Sequence, residues 1–248
     1  MNDGSKSGAP PRHAGQRATE RTPGLIGRSL QLVYWLFLAL VVSIIVEWVG
    51  MTFWWTEQGS DHSAAMLDTE LGYLSGDLRR SLLVSDAADY ARSFADFAYR
   101  WLWQQTGLER AALWAAETPP EDATSLRRSV HGVYALVAAY VASAANITQV
   151  FAVRLAVLSL AMPAFLLAVL VGALDGFVIR DLRKWCGGRE SSYVYHHAKR
   201  WIWPVFVGAW VFYLSLPTSV HPAMSILPFA AVVGILVAVT AASFKKYL

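Results

Sequence analysis

The sequence predicts an all-α membrane protein with four transmembrane helices and a periplasmic helical subdomain. Three observations support this fold class. Hydrophobic residues make up 55% of the 248 residues and charged residues only 16%, a high apolar share and a low charged share for a soluble domain. The apolar residues gather into long uncharged runs, as they do in membrane-spanning helices. The basic residues lie beside those runs, where they set orientation in a bacterial inner membrane.

The N-terminal segment, residues 1–24, is polar and rich in Gly, Pro, Ala and Arg. It lacks apolar periodicity, so we predict a disordered cytoplasmic tail. The first transmembrane helix is predicted over residues 25–50, around the apolar run Leu30–Val46. Bulky residues rather than a small-x-small cleavage site follow this run, which indicates an uncleaved signal anchor. Glu47 and the tryptophans after it are interpreted as the outer membrane interface.

Residues 51–132 form the predicted periplasmic helical subdomain, in which acidic residues outnumber basic ones. Apolar residues recur there at spacings of three and four, which predicts amphipathic helices with one apolar face. They are Leu67, Leu71, Leu74, Leu78 and Leu82 and, after a predicted cap at Ser85, Tyr90, Phe94, Phe97 and Trp101. The alternative interpretation is that these apolar faces lie flat on the outer leaflet.

A long helix that contains the second transmembrane segment is predicted over residues 133–179, with its start signalled at Thr118 by a following proline pair and a glutamate. Val133–Val153 is uncharged, and its alanines at 135, 138, 139 and 142 suit close helix packing. No turn residues separate it from the next apolar run, so we favour one helix that breaks near Asn146 or Pro163. Its first part is expected to project outward and pack on the periplasmic helices. Whether residues 133–153 are also embedded in the membrane stays open.

The last part of the chain is predicted to form a basic cytoplasmic loop, residues 180–200, and two further transmembrane helices, residues 201–217 and 223–244. Two lysines follow the last helix and anchor the C-terminus in the cytoplasm. All four predicted crossings agree with one orientation, in which both termini are cytoplasmic. The net charge of +3 is interpreted through this topology, so we do not expect direct nucleic-acid binding.

Few residues suggest chemistry. Asp175 lies within a predicted span, where an acid is costly and therefore a functional candidate; the alternative is an interfacial acid that pairs with Arg180 or with another basic residue of the loop. His196 and His197 are adjacent rather than four apart, so we predict no metal site. Cys186 is the single cysteine, which excludes an internal disulfide and a CxxC motif. We also find no nucleotide or nucleophile motif, and we expect neither an enzyme nor a cofactor.

The stretch from residue 174 to 201, LDGFVIRDLRKWCGGRESSYVYHHAKRW, resembles the signature of a family of integrating conjugative element membrane proteins. In that family an Asp-Gly pair ends a span and is followed by an Arg-Asp-x-Arg cluster, a Gly-x-Glu-Ser turn and a Tyr-His-x-Ala-(Lys/Arg) segment. The matching residues here are Asp175, Gly176, Arg180, Asp181, Arg183, Gly188, Glu190, Ser191, Tyr195, His196, Ala198 and Lys199. The resemblance runs from about Leu25 to the C-terminus.

The resemblance implies an accessory inner-membrane component of a conjugative DNA-transfer apparatus, a type IV secretion-like machine of an integrating conjugative element. The implied partners are the lipid bilayer and conjugation proteins such as a coupling ATPase or other membrane components; an oligomer stays open. We hypothesise that the basic loop docks a protein, although anionic lipid head groups and DNA phosphates are alternatives. The candidate docking residues are Asp175, Arg180, Asp181, Arg183, Lys184, Arg189, Glu190, Tyr195, His196, Lys199 and Arg200. A small-solute transporter or channel subunit is the alternative function.

Overall fold

The computed structural model describes residues 25–76, 86–120, 122–185 and 192–244, and these residues contain helices and no β-strand. The all-α prediction is therefore confirmed. The helices are α1 (Leu25–Phe53), α2 (Ser60–Gly76), α3 (Ala87–Tyr99), a π-helix (Arg100–Gln104), α4 (Leu108–Ala116), α5 (Ser125–Leu160), α6 (Met162–Trp185), α7 (Ser192–Ser215) and α8 (Pro222–Ala242). The predicted tail, residues 1–24, lies outside the described residues. Among the described residues, those up to Leu36 and those from Phe37 onward belong to two units, and all contacts below lie within the second.

Three segments of the described chain are long and apolar enough to cross a membrane: Ser29–Phe53, Ser125–Arg183 and Pro222–Ala242. The remaining predicted crossing, residues 201–217, lies in α7, which is not one of them. Its first turns carry histidines and basic residues, and its apolar half is rich in tryptophan and tyrosine, which prefer the interface to the hydrocarbon core. Membrane association rests on three segments, and the fourth crossing stays a prediction.

The predicted start of the long helix at Thr118 is wrong, because α5 begins at Ser125. The cap is Thr124, whose hydroxyl oxygen accepts a hydrogen bond from a first-turn backbone amide at 3.4 Å. The reason lies in the proline pair. A residue before proline is pushed out of the α region, so Pro119 cannot begin a helix ahead of Pro120. The carbonyl of Pro120 instead accepts a hydrogen bond in a turn.

Only Ala161 separates α5 from α6, and Pro163 occupies the second position of α6. The break expected near Pro163 is found there, because proline lacks the amide hydrogen that would continue the helical bonds of α5. The other expected position, Asn146, lies inside the uninterrupted α5. Its side-chain amide donates a hydrogen bond to the hydroxyl of Ser63 at 3.1 Å, so this residue joins α5 to α2.

Helices α2, α3 and α4 pack along α5. The buried face of α3 consists of alanines, which allows its backbone to approach α5 closely. The N-cap of α3 is Asp86, whose carboxylate accepts hydrogen bonds from two first-turn amides at 3.0 and 3.2 Å. Ser85, the predicted cap, lies outside the described residues, as do Leu78 and Leu82. Met66 of α2 buries its side chain against apolar residues of α5.

Helices α6 and α8 pack through small residues. A Cβ atom added to Gly172 would overlap the carbonyl oxygen of Gly234, and one added to Gly176 would overlap that of Ala238. The spacing of Gly172 and Gly176 is the GxxxG pattern that lets two membrane helices bring their backbones together. Of the α5 alanines that the sequence analysis assigned to close packing, Ala135, Ala139 and Ala142 are exposed.

Candidate functional site

A buried ionic network joins α2, α5 and α7. Its centre is Arg154, whose Nε and Nη2 both donate to Oε1 of Glu70, at 2.9 and 2.8 Å. The hydroxyl of Tyr213 donates to the other carboxylate oxygen of Glu70 at 3.1 Å. Each of these three residues is at most 1% exposed. The network therefore places a complete ion pair inside the protein, where hydrogen bonds are stronger than in water.

The remaining donors of Arg154 fix the connection between α7 and α8. Nη1 donates to the carbonyl of Leu216, and Nη2 donates to the carbonyl of Thr218 at 2.8 Å. Ser219, in the same connection, donates from its hydroxyl to the carbonyl of Met66 in α2 at 3.3 Å. A single guanidinium group thus holds the α7–α8 connection against the helix that carries Glu70.

The electrostatics of this network balance two opposing effects. Desolvation by burial raises the pKa of Glu70, while the charge and hydrogen bonds of Arg154 and the hydroxyl of Tyr213 act in the opposite direction. Because both carboxylate oxygens accept hydrogen bonds and the group is closed to solvent, the arrangement can position helices. It offers no accessible carboxylate to a substrate.

A second polar cluster lies where α1 meets α2. Nδ1 of His62 is 3.0 Å from Oε1 of Glu47, and Glu47 is only 1% exposed. The indole of Trp55 stacks on the His62 ring with centroids 4.2 Å apart, and it also covers Gly50, where a Cβ atom would overlap it. The sequence analysis interpreted Glu47 as a marker of the membrane interface. The structure places it in the protein interior with a partner.

The sequence analysis did not identify either cluster, although one signal was visible. Arg154 lies between two apolar runs, and an ionisable residue in such a position usually faces the protein interior and pairs with a partner. The partner itself was not predictable, because Glu70 lies 84 residues earlier in the chain.

The predicted docking residues on α6 divide into packed and exposed side chains. Asp175 is exposed and makes no ion pair with Arg180 in the part of the chain that the structure describes. The guanidinium of Arg180 instead lies over the ring of Phe244, 5.7 Å from its centroid. Arg183 donates to the carbonyl of Ala242 at 3.4 Å. Two of the predicted docking cations thus contact the end of α8.

Asp181 is exposed on α6. Lys184 is in the last turn of the same helix, and Arg189 and Glu190 lie outside the described residues. The four remaining predicted residues lie on the first turns of α7. They are Tyr195, His196, Lys199 and Arg200.

On α7, the ring of Tyr195 is 5.8 Å from that of Phe244 and 5.7 Å from Nζ of Lys199. His196, Lys199 and Arg200 are exposed. Because Phe244 contacts both Arg180 and Tyr195, the end of α6, the start of α7 and the end of α8 meet at one place. We call this region the α6–α7 junction. It consists of the described part of α6 from Arg180 onward, the first turns of α7 as far as Arg200, and Phe244 after α8. Among the described residues, no group of three His, Cys, Asp or Glu side chains could hold a metal ion.

Comparison with known proteins identifies a matching family. Residues 54–245 match the family described as "DtrJ-like: IncC plasmid conjugative DNA transfer protein DtrJ-like". No curated protein and no solved structure matches the chain. The match contains the α6–α7 junction and the ionic network, and it begins just after α1, whereas the resemblance seen in the sequence was expected from about Leu25. The expectation of a conjugation-associated family is confirmed, and the chain belongs to the DtrJ-like family of conjugative DNA transfer proteins.

Proposed function

We propose that this protein is an accessory inner-membrane component of a conjugative DNA-transfer apparatus and that it docks another protein of that apparatus through the α6–α7 junction. The observation that carries the proposal is the match to conjugative DNA transfer proteins over residues 54–245. The apolar segments that can cross a membrane support a membrane position within the apparatus. The proposed role requires no chemical reaction.

The positions of the charges support one orientation in the membrane. Arg154 binds the carbonyls of Leu216 and Thr218 and the carboxylate of Glu70, so it gathers segments that the sequence assigns to the outer side. At the α6–α7 junction, which the sequence assigns to the cytoplasm, Arg180 lies over Phe244 and Lys199 lies by Tyr195, whose ring contacts Phe244. An excess of basic residues at that junction agrees with the positive-inside rule.

Some basic residues of the α6–α7 junction contact the end of α8, and others are exposed. The exposed ones define the docking surface. Arg180 and Arg183 contact the end of α8, so their substitution would disturb the helix ends themselves. His196, Lys199 and Arg200 are exposed. Exposed cations fit an acidic surface on a partner protein, because complementary charges steer association and select the partner. We therefore place the docking surface on the first turns of α7.

A mating assay tests the proposal. A donor strain that lacks this protein is complemented with wild type, with Lys199→Glu/Arg200→Glu, or with the matched control Arg110→Glu/Arg128→Glu, which reverses two exposed charges in the predicted periplasmic part. We expect the junction variant to lower transfer at least ~10-fold, since each 1.4 kcal/mol of lost binding energy is about tenfold in occupancy. The control variant should transfer like wild type. Immunoblots of membrane fractions verify equal amounts of all three proteins.

Two results would reject the proposal at different levels. Transfer that is unchanged in the deletion strain would remove the conjugative role. Normal transfer by a normally inserted junction variant would remove docking at this surface and leave the conjugative role intact. If the junction variant does lower transfer, a photo-crosslinking residue in place of Arg200 distinguishes a protein adduct, which supports docking, from a DNA adduct, which contradicts it.

The transporter or channel alternative gains no support from the described helices. The cavity between α6, α7 and α8 has a volume of about 610 Å³, and apolar side chains such as Phe165, Leu166 and Phe206 line it. A pathway for a polar solute needs polar groups that face a shared cavity. This cavity is suited to apolar contacts.

A further inference from the structure

Asp175 is a charged residue inside an apolar helix, and the structure leaves it unpaired. It is exposed, and it is the first charged residue of α6, which carries no other before Arg180. Among the residues that the structure describes, its carboxylate has neither an ion pair nor a hydrogen bond. An ionisable side chain at membrane depth almost always pairs with another group or lines a water-filled cavity. The exposed carboxylate of Asp175 therefore calls for a partner.

The helix that carries Asp175 does not supply this partner. Side chains meet along a helix at spacings of three and four, and those positions after Asp175 hold Val178 and Ile179. Arg180, five positions later, lies about 140° around the helix and contacts Phe244 instead. The Cα–Cβ bonds of a helix tilt toward its N-terminus, which in α6 is away from the basic end. The short side chain of Asp175 is therefore directed into the apolar segment rather than toward the boundary that Arg180 marks.

Exposed apolar residues lie on the same face of α6 as Asp175. Val171, Val178 and Leu182 are each more than half exposed, and with Asp175 they recur at spacings of four, three and four. The close contacts of α6 with α8 lie on another face of the helix. Alternate spacings of three and four are the pattern with which one helix packs along another. This face, which we call the Asp175 face, thus has the pattern of a helix–helix interface with one charged position.

We infer that the Asp175 face binds a transmembrane helix of another membrane protein and that a lysine or arginine of that helix pairs with Asp175. A cation at the same depth neutralises the carboxylate and offsets the cost of holding a charge in hydrocarbon. A polar residue within an apolar seam also fixes the register between two helices. The partner is thus defined by one cationic side chain within an apolar span. The inference is independent of docking on the first turns of α7.

A second copy of this chain does not fit the Asp175 face. The apolar segments Ser29–Phe53 and Pro222–Ala242 contain no basic residue. The remaining apolar segment has one cation in its interior, Arg154, which is already paired inside the protein. Two copies that met through this face would oppose two Asp175 carboxylates, and like charges in contact disfavour association. The cation must therefore come from a different protein.

Photo-crosslinking in living cells that carry the complete conjugative element tests the inference with the full-length protein. The photoreactive residue p-benzoylphenylalanine replaces Val171, one turn before Asp175, or Phe177, an exposed residue on the opposite side of α6 that serves as the matched control. Each is combined with unchanged Asp175, with Asp175→Leu or with the charge-retaining Asp175→Glu. Because Asp175 has no ion pair or hydrogen bond within the described chain, Asp175→Leu should insert normally, which immunoblots of membrane fractions verify.

We expect an adduct from position 171 with a different membrane protein, and mass spectrometry should place the crosslinked peptide in an apolar span that contains a lysine or arginine. Asp175→Leu should lower the yield of this adduct at least ~10-fold, because removal of one partner of a buried charge pair greatly weakens association. Asp175→Glu should retain it, and position 177 should not give it. Exchange of the two charges, with Asp175→Lys and an aspartate in place of the partner's cation, should restore the adduct.

Three results would overturn the inference. An adduct that keeps its full yield in Asp175→Leu would show that the apolar residues bind without the charge. An adduct with a second copy of this chain, or with a span that lacks a basic residue, would exclude the cationic partner. The absence of a protein adduct from position 171 would mean that the face meets lipid. The mating assay of the α7 variant tests a different surface, so none of these results would alter its interpretation.

Discussion

Two groups of helices in this protein are held together by different interactions, one by a buried ion pair and the other by close backbone packing at glycine. The junction of α2, α5 and α7 depends on buried charge, with Arg154 and Glu70 paired and each at most 1% exposed. The pair α6 and α8 depends on shape, because Gly172 of α6 meets the backbone of Gly234. Polar atoms need specific partners in specific positions, whereas glycine contacts need only that no side chain intervenes.

The difference predicts how each junction fails. When one partner of a buried ion pair is removed, the other is left as an uncompensated charge, so the free energy of unfolding falls by a large amount. When a methyl group is added at a glycine contact, the helices separate slightly and the loss depends on how far they can move. Four substitutions test this comparison, from the largest expected effect to the smallest.

Arg154→Ala should lower the free energy of unfolding most, by about 3–5 kcal/mol, because it leaves the buried carboxylate of Glu70 without its cation. Chemical denaturation of the purified protein in detergent measures this change. The double variant Glu70→Gln/Arg154→Met removes both charges and should recover most of the loss. A double variant as unstable as Arg154→Ala would contradict the ion-pair explanation.

Tyr213→Phe should cost about 1.5–3 kcal/mol, since it removes a hydrogen bond to a charged and buried oxygen of Glu70 while it keeps the ring. The same unfolding measurement applies. In the Glu70→Gln background the effect of Tyr213→Phe should shrink, because the oxygen then carries no full charge. An equal effect in both backgrounds would mean that the hydroxyl acts independently of the carboxylate.

Gly172→Ala should cost about 1–3 kcal/mol, because the added methyl group overlaps the Gly234 carbonyl and forces α6 away from α8. The matched control is Gly208→Ala in α7, where an added Cβ meets no atom within 4 Å. The control should be neutral or slightly stabilising, since alanine favours a helix. Equal destabilisation by both substitutions would indicate a general intolerance of larger residues and not a specific contact.

Arg92→Ala should have the smallest effect and lower the free energy of unfolding by at most ~0.5 kcal/mol. Its ion pair with Asp89 has an N–O distance of 3.3 Å, but both side chains are more than half exposed. Water and salt screen such a pair, so its geometry contributes little. A loss similar to that of Arg154→Ala would show that burial does not govern the strength of ion pairs in this protein.

The sequence predicted the helices better than it predicted their contacts. The helix predicted over 25–50 is found as α1, Leu25–Phe53, because a long uncharged run is a local signal. The start of α5 was missed because Thr118 and Thr124 both have capping chemistry, and only the conformational restriction before Pro120 decides between them.

The candidate site was predictable in part. The resemblance carried by the motifs of residues 174–201 pointed to a conjugation-associated family, which the match confirms. The division of those charges into packed and exposed side chains was not predictable, since it depends on Phe244 from the far end of the chain. The pairing of Arg154 with Glu70 was hidden for the same reason: tertiary structure alone brings these residues together.

The hydrogen bonds of Arg154 also constrain the order in which the protein can be made. Its guanidinium group is synthesised 62 and 64 residues before the two carbonyls that it binds. During translation, α5 therefore leaves the ribosome with Arg154 incompletely bound, and the network closes only after α7 and the following connection have been inserted. A chain that ends before that connection keeps the ion pair between Arg154 and Glu70 but lacks the carbonyls of Leu216 and Thr218 that accept the other hydrogen bonds of the guanidinium group. The hydrogen bonds of Arg154 are therefore complete only after the chain has been synthesised as far as Thr218.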